Sequence, residues 1–195
     1  MKASNAEELR LEVKRKIFHL VGGVAITFSV YLLKPIWGRW IAVPMIAAIL
    51  FILTLKRVET WRPMHDFLLR HFEREKDKET FPYKGALMYG IGVLAPMLLL
   101  PVNEACAVMM VLSVGDGMAT LVGKTCGTRR IANKSAEGTF AFIVFAAATA
   151  MFFVPLREAA ALAFAGAIVE FYVFYDDNVS IPWILTAIIL LFGSI

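Results

Sequence analysis

The sequence predicts an all-α protein, a polytopic transmembrane bundle of about seven helices with a cytoplasmic N-terminus. Hydrophobic residues make up 59% of the 195 positions and the mean hydropathy is +0.68, whereas about 45–50% apolar residues is usual in soluble domains. Its apolar runs are mostly long enough to cross roughly 30 Å of hydrocarbon. Alternating spans place every Lys and Arg on one side except Lys34, Arg39 and Arg157. This positive-inside bias orients the chain and explains the basic charge without any nucleic-acid partner.

The chain is expected to form one integral membrane domain over residues 1–195. Residues 1–16 form a polar lead, 56–84 a cytoplasmic amphipathic linker on the membrane surface, and 124–138 a cytoplasmic loop. A turn is expected at 34–39, no internal repeat is evident, and glycines within the spans are compatible with an oligomer. The spans are predicted, in order, at residues 17–33, 40–55, 85–100, 105–123, 139–154, 158–175 and 182–191.

One carboxylate, Asp116, lies inside an apolar run between Gly115 and Gly117. A charged group at membrane depth costs about 2.5–3.5 kcal/mol on insertion scales. The two glycines permit a sharp turn or the close approach of a ligand. A helix kink with a hydrogen-bonded Asp is the simpler interpretation, but the cost of burying the charge favours a functional site.

A basic loop follows this run and ends at a predicted helix start. Ser135 is expected to be the N-cap of that helix, and a helix N-terminus with Lys134 beside it suits a phosphate. Glu137, in the first turn, is a candidate ligand for a divalent ion. The cations of the loop are Lys124, Arg129, Arg130 and Lys134.

The predicted topology brings further polar residues to the same cytoplasmic face. Lys16 and His19 begin the first span, while Glu170 and the segment 176–178 end the sixth. A lone histidine is more often a packing residue, and an Asp-Asp-Asn segment is often only a polar turn. Acids clustered at one face nevertheless suit Mg²⁺, a hard ion that prefers oxygen ligands.

Several segments, taken in order, resemble the CTP-dependent lipid kinases, which include dolichol (polyprenol) kinases, phytol kinases and CTP-using diacylglycerol kinases. The resemblance covers most of the chain from about residue 14, and that family is itself similar to the cytidylyltransferases that make CDP-lipids. The segments are Arg15-Lys16-x-x-His19, Gly115-Asp116-Gly117-x-Ala119 with Gly123 and Gly127, Lys134-Ser135-x-Glu137-Gly138, and Glu170 with Asp176-Asp177-Asn178 and Pro182.

The resemblance implies transfer of the γ-phosphate of CTP to the hydroxyl of a membrane lipid alcohol, with Mg²⁺ and with the lipid chain between apolar helices. Its expected metal ligands are Asp116, Glu137, Asp176 and Asp177. The expected nucleotide contacts are Lys16, Gly115, Gly117, Gly123, Lys124, Arg129, Arg130, Lys134, Ser135 and Gly138. The expected catalytic residues are Asp116, Glu170, Asp177 and His19, and the last three remain alternatives for orienting or deprotonating the hydroxyl.

Two other functions remain open. A cytidylyltransferase would use CTP to make a CDP-lipid from a lipid that already carries phosphate. A small transporter would also explain acids within spans, because broken helices can bind substrates at mid-membrane. The collection of polar residues at one face, and not along a path through the bilayer, favours the kinase.

Overall fold

The computed structural model describes residues 2–55, 61–72, 82–128, 130–131, 134–172 and 175–193, and within these ranges the protein is all-α apart from one two-stranded hairpin. The all-α prediction is therefore confirmed. The helices are α1 (Lys2–Trp37), α2 (Ala42–Leu55), α3 (Arg62–Phe72), α4 (Lys84–Leu99), α5 (Val102–Met110), α6 (Gly117–Thr125), α7 (Ala136–Ala150), α8 (Leu156–Tyr172) and α9 (Asp177–Phe192). The antiparallel hairpin pairs β1 (Arg130–Ile131) with β2 (Lys134–Ser135).

The centre of the molecule is the apolar stretch that runs from α5 into α6. Met109 and Leu112 are completely buried there, and α1, α4, α7, α8 and α9 all pack around this stretch. Phe142 of α7 and Leu162 of α8 complete the core from the far side. A helix that is apolar on every face in this way needs a full ring of neighbours.

Two helical stretches among the described residues, Arg10–Leu55 and Val102–Thr125, are long and apolar enough to cross a membrane. They differ in their surroundings. In the most apolar part of the first, 11% of the residues are buried inside the protein, against 78% in the second. The second is therefore explained by its protein neighbours, whereas the first leaves an apolar surface uncovered. The helices α4, α7 and α9 are also apolar, but shorter.

The connection after α1 differs from the prediction. A turn was expected at 34–39, but α1 continues through Pro35 to Trp37, and a 3₁₀ turn follows at Gly38–Ile41. Gly38 has a φ of +55°, a left-handed conformation that commonly ends helices and that glycine adopts without strain. The break therefore occurs at the glycine and not at the proline.

The helix between α5 and α6 widens into a π-helical segment, Val111–Asp116, where the sequence suggested a sharp turn. The backbone stays helical throughout, so the two glycines serve close packing. A Cβ on Gly115 would lie 2.9 Å from the Phe142 ring, and one on Gly117 would lie 3.3 Å from Leu20. Short π-helical segments are rare and frequently occur at functional sites.

The two adjacent glycines of α1 provide a matched test of this packing. A Cβ on Gly23 would overlap Ser113 and lie 3.0 Å from the Tyr89 hydroxyl, whereas one on Gly22 would meet nothing within 4 Å. We expect Gly23→Ala to lower the free energy of unfolding by about 1–3 kcal/mol through overpacking. Gly22→Ala should be neutral or stabilising by up to about 1 kcal/mol. Thermal denaturation in detergent measures both, and equal effects would contradict the described packing of α1.

Candidate active site

The carboxylate of Asp116 is held at the centre of the bundle, with 2% of the residue exposed. Its Oδ2 atom accepts a hydrogen bond from Lys16 Nζ at 2.6 Å, and His19 Nε2 lies 3.7 Å from the same oxygen. Lys16 and His19 are three residues apart on α1, so they share one face of the helix. The structure thus brings three of the predicted site residues together.

Lys134 forms the second part of the site. Its ammonium donates to the carboxylate of Glu170 and, at 3.1 Å, to Asp177 Oδ2. Burial alone would lower the pKa of Lys134, but the carboxylates of Asp177 and Glu170 outweigh it and raise that pKa above its usual value. Lys134 is therefore cationic at neutral pH. It also interacts electrostatically with Asp116, which joins the two parts of the site.

Asp176 is the N-cap of α9 and orders the start of that helix. Its Oδ1 atom accepts from the backbone N–H of Asn178 at 3.1 Å and from the Asn178 side-chain amide at 3.0 Å. Lys84 Nζ lies 3.8 Å from its other oxygen. The predicted polar turn at 176–178 is therefore a helix cap at the edge of the site.

Ser135 caps α7 as predicted, because its hydroxyl accepts a hydrogen bond from the Gly138 N–H at 3.1 Å. A Cβ on Gly123 would lie 2.8 Å from this hydroxyl, and one on Gly138 would lie 2.7 Å from the Ala119 carbonyl oxygen. These glycines allow α6 and α7 to pack closely. Their contact with a nucleotide stays a prediction.

The loop before α7 is held by Glu137, whose carboxylate accepts hydrogen bonds from both the backbone and the hydroxyl of Thr128. Glu137 is therefore engaged with the loop. Arg129, a predicted nucleotide contact, lies outside the described residues, and Arg130 contributes its backbone to β1.

Lys124, another predicted nucleotide contact, lies at the end of α6 beside Glu12. Its Nζ atom is 3.8 Å from Glu12 Oε1, and Arg15 donates to the other oxygen of Glu12 at 3.1 Å. Glu12 itself is 6% exposed. The sequence analysis did not include Glu12 among the site residues. Its position between two apolar residues, just before the Lys14-Arg15-Lys16 run, could have indicated a buried acid that pairs with these cations.

An apolar groove with a volume of about 620 Å³ lies between α1, α2 and α4. Along α1 it extends from Arg15 to Leu33, which is roughly 27 Å at 1.5 Å per residue. Lys16 and His19 of the site also line it, as does Asn178. The groove therefore opens directly onto the charged cluster around Asp116. The groove could not be located from the sequence, because the apolar residues that line a groove are of the same types as those that pack between helices.

Comparison with known proteins gives one full-length relative. The chain is 31% identical over 190 residues to the uncharacterized protein MJ1137 of Methanocaldococcus jannaschii, an alignment that covers 91% of this chain and 92% of the relative. The two belong to one family. No family model matches the chain, and no solved structure matches it. Family membership thus supports a fold shared along most of the chain, and any statement about function rests on the geometry of the site.

The two buried acids of the site share the same spacing from a preceding proline. Asp116 lies fifteen residues after Pro101, and Glu170 lies fifteen residues after Pro155. Each proline immediately precedes a helix and is followed three residues later by a glutamate, namely Glu104 or Glu158. Two similar helical stretches therefore each deliver one acid to the site, and each acid meets a lysine from another element.

The carboxylates of the site suit a Mg²⁺ ion that is also bound by substrate phosphates. Within the part of the chain that is described, no three His, Cys, Asp or Glu side chains are grouped closely enough to hold a metal by themselves. Beside Lys134, the Glu170 Oε2 oxygen is buried without a hydrogen-bond partner among the described residues. Mg²⁺ commonly binds one or two carboxylates together with substrate phosphates. The residues fit an ion that arrives with a triphosphate, and they do not form a closed protein cage.

The contribution of the Lys134 ion pairs to stability can be compared with that of the Lys84–Asp176 pair. Lys134→Met removes the cation from two carboxylates, one of them buried, so we expect a loss of about 1–3 kcal/mol in unfolding free energy. Lys84→Met removes a longer pair, at 3.8 Å, whose lysine is more exposed, which should cost less than about 1 kcal/mol. Thermal denaturation of both variants at one pH compares them, and a larger loss for Lys84→Met would contradict the assignment.

Proposed function

We propose that this protein is a CTP-dependent lipid kinase, which transfers the γ-phosphate of CTP to the hydroxyl of a membrane lipid alcohol. The observation that carries the proposal is the junction of groove and site. Lys16, His19 and Asn178 line an apolar groove, and Lys16 also binds Asp116. A hydrocarbon chain in the groove would bring its polar end to the charged cluster.

The proposal includes a multi-pass membrane protein of about seven spans, with its N-terminus and active site on the cytoplasmic side. Exposed large apolar side chains support this arrangement, since monomeric soluble proteins rarely expose wide apolar patches. Trp40 is 71% exposed, Phe152 80% and Leu191 78%. The bias of Lys and Arg toward one side supports the orientation.

Phosphoryl transfer requires that the protein position the acceptor oxygen and neutralise the phosphate charge, because the protein itself forms no covalent bond in the reaction. The lipid hydroxyl oxygen bonds to the γ-phosphorus while the bond from that phosphorus to the β,γ-bridging oxygen breaks, and CDP leaves. The hydroxyl proton passes to a carboxylate of the site, for which Glu170 and Asp177 are the candidates. Lys16 and Lys134 are the cations we assign to the phosphate oxygens. In the absence of nucleotide each neutralises an acid of the site, so the cations are already in place.

Mg²⁺, when bound with the triphosphate, supplies further neutralisation of the phosphate charge. Asp116 and Asp177 are the carboxylates we assign to hold it, and Glu137 and Asp176 stay predicted ligands. The choice of CTP over other nucleotides rests on the sequence resemblance.

The direct test uses purified protein in lipid nanodiscs with Mg²⁺ and CTP labelled at either the α- or the γ-phosphate. The acceptors are a polyprenol, phytol and diacylglycerol. A kinase moves only the γ label to the lipid and releases CDP. Movement of the α label, with a phosphorylated acceptor, would instead identify a cytidylyltransferase, and no transfer with any acceptor would favour the transporter.

The Asp116→Asn variant tests the site itself. We expect transfer to fall at least about 100-fold, the usual scale for losing a charge-stabilising or proton-handling group. Glu104→Gln is the matched control, since Glu104 lies in the first turn of α5, at the opposite end of the helical stretch that continues to Asp116. The control should keep its activity. Circular dichroism and gel filtration verify that both variants fold, and an active, folded Asp116→Asn would remove Asp116 from the mechanism.

The groove can be tested with two neighbouring alanines of α2. Ala48 lines the groove, whereas its exposed neighbour Ala47 is not among the lining residues. Ala48→Trp should raise the KM for the lipid alcohol about tenfold or more by occupying its binding space, with the KM for CTP unchanged. Ala47→Trp adds the same ring outside the groove and should leave both values unchanged. Equal effects of the two variants would argue against a lipid chain in this groove.

A further inference from the structure

Two buried polar atoms at the polar end of the groove have no hydrogen-bond partner among the described residues. They are His19 Nε2 and Asn178 Oδ1, and both residues line the groove. Buried polar atoms are nearly always hydrogen-bonded, so an unpaired one calls for an explanation. A pair of them beside an apolar groove points to the polar end of a ligand.

The orientation of the Asn178 amide follows from its neighbour. A carboxylate oxygen only accepts hydrogen bonds, so the NH₂ group must face Asp176 Oδ1, at 3.0 Å. The carbonyl oxygen of the amide is thereby left as an unused acceptor. The start of α9 also packs directly against α4. A Cβ on Gly92 of α4 would overlap the Asn178 backbone carbonyl, so only glycine allows this contact.

The His19 ring is held in place by aromatic packing. It meets the ring of Tyr89 edge-on, with centroids 5.0 Å apart and an interplanar angle of 86°. Tyr89 is itself fixed by a buried hydrogen bond of 3.0 Å to Ser113 in the π-helical segment. His19 and Asp176 interact electrostatically, which is consistent with His19 and Asn178 lying at the same end of the groove.

We propose that His19 and Asn178 together bind the hydroxyl of the lipid acceptor, an inference that rests on the proposed kinase function. The hydroxyl donates its hydrogen to Asn178 Oδ1 and accepts one from the N–H of His19 Nε2. One lone pair of the hydroxyl oxygen then remains for the phosphorus. Asn178 is a positioning residue that the sequence-based site did not include, and no bond forms or breaks in this binding step.

This pair also explains selection of an alcohol over a lipid that already carries phosphate. A phosphate dianion offers only acceptors, so it would place an oxygen against Asn178 Oδ1 with no hydrogen between them. The nearby cations do not offset this, because Lys16 is assigned to the phosphate oxygens of the nucleotide and Arg15 is paired with Glu12. Sites built to bond a hydroxyl discriminate strongly against ligands that cannot reproduce the bond.

The experiment measures steady-state kinetics of the protein in nanodiscs, with a polyprenol as acceptor and γ-labelled CTP. For Asn178→Ala we expect kcat/KM for the alcohol to fall about 10- to 100-fold, the range expected for one lost hydrogen bond. The KM for CTP should stay within about twofold. Asn103→Ala, an exposed asparagine in the first turn of α5, is the matched control and should be unchanged.

His19 is tested with a conservative pair. His19→Gln keeps a side-chain N–H and should retain most of the activity, whereas His19→Leu should lose as much as Asn178→Ala. A purely structural role for His19 would not separate these variants in this order. Wild-type protein that transfers phosphate to the alcohol while Asn178→Ala and His19→Leu keep their kcat/KM would overturn this inference alone. Wild-type protein that transfers nothing would overturn the kinase proposal as well.

Discussion

The structure depends on the neutralisation of one carboxylate, Asp116, in the middle of an apolar bundle. A lone carboxylate there would carry a desolvation penalty of several kcal/mol, and Lys16 offsets it through a hydrogen bond of 2.6 Å. Because Lys16 belongs to α1, this pair requires α1 to lie against the stretch from α5 to α6. Gly23 makes that approach close enough, since any larger side chain would overlap Ser113. The position of the first helix, and with it one wall of the groove, follows from the need to pair this charge.

Lys134 likewise neutralises the carboxylates of Glu170 and Asp177, by donating hydrogen bonds to both. Each lysine comes from a different element than the acids it pairs with, so the two pairs tie together α1, the hairpin, α8 and α9. Such pairs give weak net stability, because desolvation cancels much of their attraction. Their value is positional. On the proposed function, ammonium groups that are already held by carboxylates need little reorganisation when the phosphate binds.

Much of this arrangement could be predicted, and the failures have physical reasons. Long apolar runs identified the helices, and charge at their ends brought Lys16, Asp116 and Glu170 to one face, because these signals are local and strong. The π-helical segment could not be predicted, since no residue pattern of the kind used for helices and strands marks it. Its close packing, with Phe142 close to where a Cβ on Gly115 would lie, involves residues distant in the sequence. Each strand of the short hairpin has only two residues, too few to show the alternation of apolar and polar side chains that predicts a strand. The spacing from Pro101 to Asp116 is the same as that from Pro155 to Glu170. Two acids and two prolines are too few to form a recognisable pattern, and only the structure shows that both acids reach the site.

The groove adds a constraint that the charged residues alone do not supply. A buried site that binds a triphosphate near water would risk transferring the phosphate to water. Here the apolar walls between α1, α2 and α4 end at His19 and Asn178, so on the proposed function a bound hydrocarbon chain fills the space next to the cluster. The hydrocarbon chain would exclude water and hold the lipid hydroxyl at this polar end of the groove, which makes the acceptor part of the barrier to hydrolysis. Selectivity for a lipid and protection of the nucleotide would then follow from one feature, the contact between an apolar groove and two partly buried lysine–carboxylate clusters.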